Sequence, residues 1–134
     1  MVIQRKKPLL GVCLGMQLLG ISSDEQGRNA GLGFVKGVVT RFNDKSVKVP
    51  HIGFNQIEIN PRSRLYLGMQ GTPDFYFVHS FKMQCDNDIH QSICHYDDKF
   101  IASFEQENIV GVQFHPELSQ KNGLKVIQNF IEKF

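Results

Sequence analysis

The apolar residues of this 134-residue chain fall into short blocks separated by glycine, proline and asparagine, with strand-like spacing in the middle and helical spacing towards the two ends. Leu9, Leu10 and Val12 form a run that stops at a cysteine between two glycines, and Met16-Gln17-Leu18-Leu19 then takes up helical text. Residues 22–27, Ser-Ser-Asp-Glu-Gln-Gly, read as helix end and loop. From Leu32 onward the pattern predicts strands over 34–39 and 47–49, parted by a turn at Asn43-Asp44, and a half-buried alternating strand over 56–59. Residues 64–69 predict one or two helical turns, closed by Gly71 and Pro73. Phe75-Tyr76-Phe77-Val78 has the aromatic and β-branched content of a buried strand, and further strands are expected over 92–96, 100–104 and 109–114. The chain finishes in an amphipathic helix from Gly123, with Leu124, Ile127, Phe130 and Ile131 at helical spacing. Mixed strands with helices at both ends predict an α/β sheet protein.

Composition narrows the function classes. The length suits one domain with a single sizeable core, and 41% hydrophobic with 21% charged residues is ordinary for a globular chain. A net charge of +2 from scattered basic residues is too weak for a nucleic-acid partner. No apolar run reaches the roughly 20 residues of a membrane span. Residues 1–7 lack the features of a secretory leader, so a cytoplasmic location is expected. Three cysteines, Cys13, Cys85 and Cys94, do not make a complete disulfide framework. Cys85, His90, Cys94 and His95 lie near one another, but without close metal-ligand spacing, so no metal site is expected. Cys85 and Cys94 then read as small hydrophobes at strand positions.

Residues 11–15, Gly-Val-Cys-Leu-Gly, put a thiol where an apolar strand meets a helix. A sharp strand-to-helix turn holds a nucleophile in a strained conformation clear of the sheet, as in the serine elbow of α/β hydrolases, and flanking glycines let the backbone pass. The first helix amides and the helix dipole favour thiolate, the attacking species. Phe114-His115-Pro116-Glu117 follows the strongest apolar strand and belongs at a sheet end, where α/β sites are built. Residues two apart in extended chain share a face, so Glu117 can orient one ring nitrogen of His115 and leave the other for the nucleophile. Pro116 stiffens that link. Each half alone is a modest signal; together, in the order Cys…His-x-Glu, they form a specific combination.

That combination resembles the class I glutamine amidotransferases, and most closely the glutaminase subunits of imidazole glycerol phosphate synthases. The likeness runs over residues 8–134 and is carried by 11–19 (GVCLGMQLL), 50–55 (PHIGFN), 76–81 (YFVHSF) and 111–117 (GVQFHPE). Gly31-Leu32-Gly33 and Asn129-Phe130 also fit. The resemblance implies a flavodoxin-like, three-layer α/β fold on a mixed sheet. It also implies hydrolysis of L-glutamine through a thioester on Cys13, with His115 shuttling protons and Glu117 orienting it. Gln17 and Glu25 match positions that contact the substrate glutamine, and Ser80 and Phe81 match the segment whose backbone holds its α-amino acid end. No metal or organic cofactor is implied. Ammonia would pass to a synthase subunit of the HisF-like cyclase type, which makes a protein partner part of the function. His79 is expected to be a hydrogen-bonded core histidine, and the loop carrying His51 to face the partner.

Three departures refine these expectations. Phe54 and Leu118 stand where the histidine-pathway group usually has Trp and often Lys, both in partner-facing regions. Gly53-Phe54-Asn55 and residues 74–77 (DFYF) are also similar to a related group that feeds ammonia to a sugar amidotransferase in surface-polysaccharide synthesis. Finally, members of the family carry several elements before the cysteine strand, including a glycine-rich loop that supplies oxyanion donors. The chain is therefore expected to be the C-terminal two-thirds of such a domain and a poor glutaminase alone. A binding-only remnant and a γ-glutamyl hydrolase are the competing readings, the latter disfavoured by the spelling of residues 50–55 and 76–81.

Overall fold

The strand text folds into two sheets in the computed structural model, which describes residues 5–24, 27 and 29–134. The larger sheet contains β1 (Leu9–Val12), β5 (His51–Glu58), β6 (Asp74–His79), β8 (Ser92–Tyr96), β9 (Asp98–Gln106) and β10 (Ile109–Val112), in the order β1-β10-β9-β8-β5-β6. The smaller contains β2 (Ser22–Ser23), β3 (Asn29–Ala30), β4 (Val38–Arg41) and β7 (Phe81–Gln84), in the order β3-β2-β4-β7. Helix α1 (Leu14–Leu18) follows β1, and a 3-10 turn (Pro116–Leu118) leads from the end of β10 into helix α2 (Gln120–Lys133). β1 pairs with β10 in parallel, and the other ladders of the large sheet are antiparallel. The sheet is therefore mixed, as the alternation of elements predicts. Among the described residues no helix is long and apolar enough to cross a membrane.

Each face of the large sheet has its own core. Phe75, Phe77, Val110, Val112 and Phe114 pack with Val126 of α2 on one side. Met16 and Leu19 around α1, with Val39 and Met83 of the small sheet, pack with Ile101, Phe104 and Ile109 on the other. Strand β9 serves both cores, and a bulge resets its alternation part-way along. Ile101 pairs with Ile93 and Ser103 with Ser92, which leaves Ala102 as an extra residue and shifts the alternation by one.

Several local expectations are corrected. The strand expected over 34–39 begins only at Val38, and 47–49 form no strand; instead β5 starts at His51 and runs eight residues. Residues 64–69 make turns and not a helix, because their polar groups are already committed. The buried Glu105 carboxylate accepts from the Ser63 hydroxyl at 2.7 Å and the Arg64 amide at 2.9 Å. Asn129 of α2 donates to the Leu65 and Leu67 carbonyls at 2.7 and 3.0 Å, and Gly68 turns the chain with φ +84°. β6 is an edge strand that buries Phe75 and Phe77 while Val78 is exposed, so it alternates and is not buried throughout.

Helix α2 turns a different face inward from the one its large apolar residues predict. Gly123, Val126 and Asn129 are buried, whereas Leu124 and Ile131 are 68% and 73% exposed. Asn129 must face inward to reach its two carbonyls. Gly123 must face inward because the helix rests there on backbone: an added Cβ would lie 1.8 Å from the Pro116 carbonyl oxygen.

Candidate active site

The parallel pair brings the two halves of the predicted site together. Leu9 to Val12 stand opposite Ile109 to Val112, and the ladder continues as Cys13 donates its amide to the Val112 carbonyl at 2.8 Å. Cys13 thus leaves the end of β1 beside the point where residues 113–115 leave β10. Its backbone has φ 54° and ψ −109°, a strained conformation for a non-glycine residue, which costs on the order of 1–3 kcal/mol. The predicted elbow is present. Gly11 is required by it, since a Cβ there would stand 2.8 Å from the Gly15 carbonyl and the Met16 nitrogen as α1 folds back over β1. Gly15 meets nothing within 4 Å, so the second glycine is not demanded by space. Helix α1 has only five residues, little more than one turn, so its dipole is a weak source of thiolate stabilisation.

The His115 amide donates to the Tyr76 carbonyl of β6 at 2.9 Å, which moors the second half of the site. His115 has extended backbone (φ −96°, ψ 103°), and its Nδ1 lies 2.5 Å from Glu117 Oε1. The carboxylate accepts there, so Nδ1 carries a proton, and in the tautomer this selects Nε2 holds the lone pair. Ser119 locks the turn that follows. Its hydroxyl donates to the His115 carbonyl at 2.6 Å and accepts from the Tyr76 amide at 2.9 Å.

Two further groups surround the sulfur. Cys13 Sγ lies 3.9 Å from the Val78 carbonyl and 3.6 Å from Gln113 Nε2. Gln113, fully buried, was not among the expected site residues, although a signal for it exists: a polar residue in an apolar strand, two positions before His115 and therefore on the same face. Its oxygen accepts from Gln17 Nε2 at 2.9 Å, and Gln17 also donates to the Phe81 carbonyl at 3.1 Å. Gln17 is thus buried next to the nucleophile, with its NH2 group engaged by protein. Ser80 and Phe81 are half-buried; the Ser80 carbonyl accepts from the Phe42 amide at 3.0 Å. Glu25 lies outside the described residues. Beside α1, a cleft of about 380 Å³ is lined by Leu14, Gln17, Leu18, Ser23, Asn29 and Gly31, among others, and is large enough for a small amino acid.

The Phe81 carbonyl also ends a buried histidine chain. His79 Nδ1 lies 2.7 Å from it, His51 Nδ1 lies 2.9 Å from His79 Nε2, and Asn55 Nδ2 lies 3.2 Å from His51 Nε2. A carbonyl only accepts, so each imidazole must carry its proton on Nδ1, and Asn55 supplies the last donor. His79 is the core histidine expected. His51 is not in a partner-facing loop: it lies within β5, 4% exposed, because the strand's alternation turns it inward between exposed neighbours.

Burial lowers His51 to a pKa of about 4. It also lowers His79 to about 4, against the Phe81 hydrogen bond and with help from His51 and His115. The unfolded chain takes up these protons near pH 6.5 and the folded pair only near 4, so stability is lost as pH falls through that window. Each imidazole contributes up to about 3 kcal/mol to the acid loss. Urea unfolding midpoints should fall between pH 6.5 and 4, and the fall should be shallower in His51→Gln; an identical pH dependence would refute the assignment.

The chain can now be set against known proteins. The family model described as glutamine amidotransferase class-I matches residues 1–134. The imidazole glycerol phosphate synthase subunit HisH 1 of Campylobacter jejuni (strain RM1221) is 46% identical over 131 residues, covering 97% of this chain and 65% of its own. HisH of Pyrococcus furiosus is 46% identical over 130 residues, covering 96% and 66%. The chain thus spans about 65% of the length of such curated relatives. Among solved structures, PurLQS from Thermotoga maritima matches with a TM-score of 0.69 at 18% identity, over 98% of this chain and 64% of that one, a likeness of fold. With the family model covering every residue and β1 lying next to β10 in the sheet, this chain belongs to the class-I glutamine amidotransferases.

Proposed function

We propose that this chain hydrolyses L-glutamine to glutamate and ammonia through a thioester on Cys13 and hands the ammonia to a synthase partner. The observation that carries the reading is the arrangement at the ends of β1 and β10: a strained thiol on one strand, and on the other a histidine held at 2.5 Å by a carboxylate. Nε2 of His115 takes the proton of the Cys13 thiol, the thiolate attacks the side-chain amide carbon, and the tetrahedral adduct collapses as the imidazolium gives that proton to the departing nitrogen. The same imidazole then takes a proton from water, whose oxygen displaces the sulfur and releases glutamate. Glu117 keeps Nε2 of His115 as the working nitrogen throughout. Gln17 and Glu25 are the contacts to the substrate glutamine, and the backbone of Ser80 and Phe81 holds its α-amino acid end. No step calls on a metal or an organic cofactor.

The partner part of the proposal rests on the surface around the site. Phe54, Val78 and Leu118 are exposed apolar residues, and Phe54 stacks edge-on against Tyr76 at 5.4 Å. Val78 lies on the strand that moors His115, Phe54 on the neighbouring β5 and Leu118 on the turn after His115, and such exposed apolar side chains suit a protein partner that receives ammonia. The relatives are named as imidazole glycerol phosphate synthase subunits, and with them as support our reading puts a HisF-like cyclase in that place, in histidine biosynthesis and a cytoplasmic setting.

The test combines labelling with turnover. A glutamine-analogue alkylator should modify Cys13 alone, read by peptide mass spectrometry. Cys94 should stay silent, because burial pushes its thiol up to about 12. Glutamate release should rise when a candidate cyclase is added. Preferential labelling of Cys85 or Cys94 would overturn the site, and stimulation by a sugar amidotransferase but not by the cyclase would overturn the pathway.

A further inference from the structure

We propose that Gln113 is the hydrogen-bond donor that stabilises the Cys13 thiolate, its amide held in the donating orientation by Gln17. The orientation follows from the partners. The Phe81 carbonyl can only accept, so the Gln17 atom 3.1 Å from it is the nitrogen. That same nitrogen lies 2.9 Å from Gln113, so the Gln113 atom it meets is the oxygen. The remaining end of the Gln113 amide is therefore NH2, and it is this end that lies 3.6 Å from Cys13 Sγ. A flipped Gln113 amide would set nitrogen against nitrogen at Gln17 and oxygen against sulfur at Cys13.

The backbone supports the same geometry. Gln113 donates its own amide to the carbonyl of Ala102, the extra residue in the β9 bulge, at 2.8 Å. The side chain is fully buried, so water does not compete for its N–H. Against it stands the Val78 carbonyl, 3.9 Å from the sulfur, which can accept from the neutral thiol but repels the thiolate. Gln113 favours the charged form and Val78 the neutral one. The donor is the closer of the two, and with α1 only five residues long it takes over the role expected of a helix dipole.

This inference rests on Cys13 as the nucleophile, and its test does not pass through glutamine turnover. The rate of Cys13 alkylation by iodoacetamide is measured from pH 5 to 9 on the full chain, resolved by peptide mass spectrometry. Gln113→Met removes the donor from an unbranched side chain, and Gln113→Glu keeps an acceptor for Gln17 while placing a carboxylate by the sulfur. Both should raise the midpoint by about one pH unit and slow alkylation below it about tenfold, the size expected for losing a hydrogen bond to a charged group. Unchanged midpoints in folded variants would overturn the proposal. The unsubstituted chain supplies an independent reading: the side-chain amide resonances of Gln113 should titrate with Cys13 and lose that titration in Cys13→Ser. Resonances indifferent to pH would overturn it as well. A shifted midpoint in a chain that hydrolyses no glutamine even with the synthase partner present would sink the glutaminase reading and leave the donor role standing.

Discussion

Cys13→Ser lowers glutamine hydrolysis by roughly 10⁴-fold or more in an assay with the synthase partner, while the chain remains folded. Nucleophiles in such constellations lose this much because the rest of the site has nothing to activate. Serine fits the space but not the chemistry. Its hydroxyl is far less acidic than the thiol, and one amide donor 3.6 Å away does not ionise it. The substitution leaves the strained φ of 54° in place, so melting temperature should hardly move. Glutamate release from Cys13→Ser at more than a hundredth of the starting rate would show that the reaction does not run through this sulfur.

The second large effect is expected at Glu117. Glu117→Gln should slow turnover about 10²- to 10³-fold with little change in KM for glutamine. The 2.5 Å contact to His115 Nδ1 holds one tautomer, and an amide placed there can present NH2 and favour the other. The loss falls below that of a fully buried triad carboxylate because Glu117 is 54% exposed, so water can take up part of the orienting role. For the same reason stability should change by less than about 1 kcal/mol, as exposed ion pairs contribute little. A large fall in melting temperature, or a rise in KM at unchanged kcat, would assign Glu117 to structure or to binding.

The triad candidates were legible because their information is local. A cysteine between glycines at the end of an apolar run, and a His-x-Glu after another, each carry their own geometry, and the β1–β10 ladder needs only to place them side by side. Residues 64–69 were misread because their hydrogen-bonding groups are taken by Glu105 and Asn129, some 40 and 60 residues further along the chain. The face of α2 was misread for a related reason: hydrophobicity gives no weight to an inward glycine or asparagine, and those two positions decide how the helix sits. Gln113 stood in plain view within the second motif. Its role depends on Gln17 and on the bulge at Ala102, and neither contact has a signature in the sequence. His51 illustrates the opposite case: the resemblance suggested a loop, whereas β5 begins at this residue and turns it inward.

The contact between Gly123 and Pro116 bears on how this protein can be engineered. Helix propensity recommends alanine for an interior helical glycine, usually with a gain of up to about 1 kcal/mol. Here the added methyl carbon would stand 1.8 Å from the Pro116 carbonyl oxygen and 2.7 Å from its carbon, and backbone cannot swing aside as a side chain can. The helix would have to lift from the turn that carries Glu117, so a substitution chosen to stabilise would both destabilise and disarm. A library that ranks variants by propensity alone would favour alanine here, and one that ranks by melting temperature alone would discard it without revealing why. One that scores turnover beside stability would find the two properties falling together here and separating at Glu117.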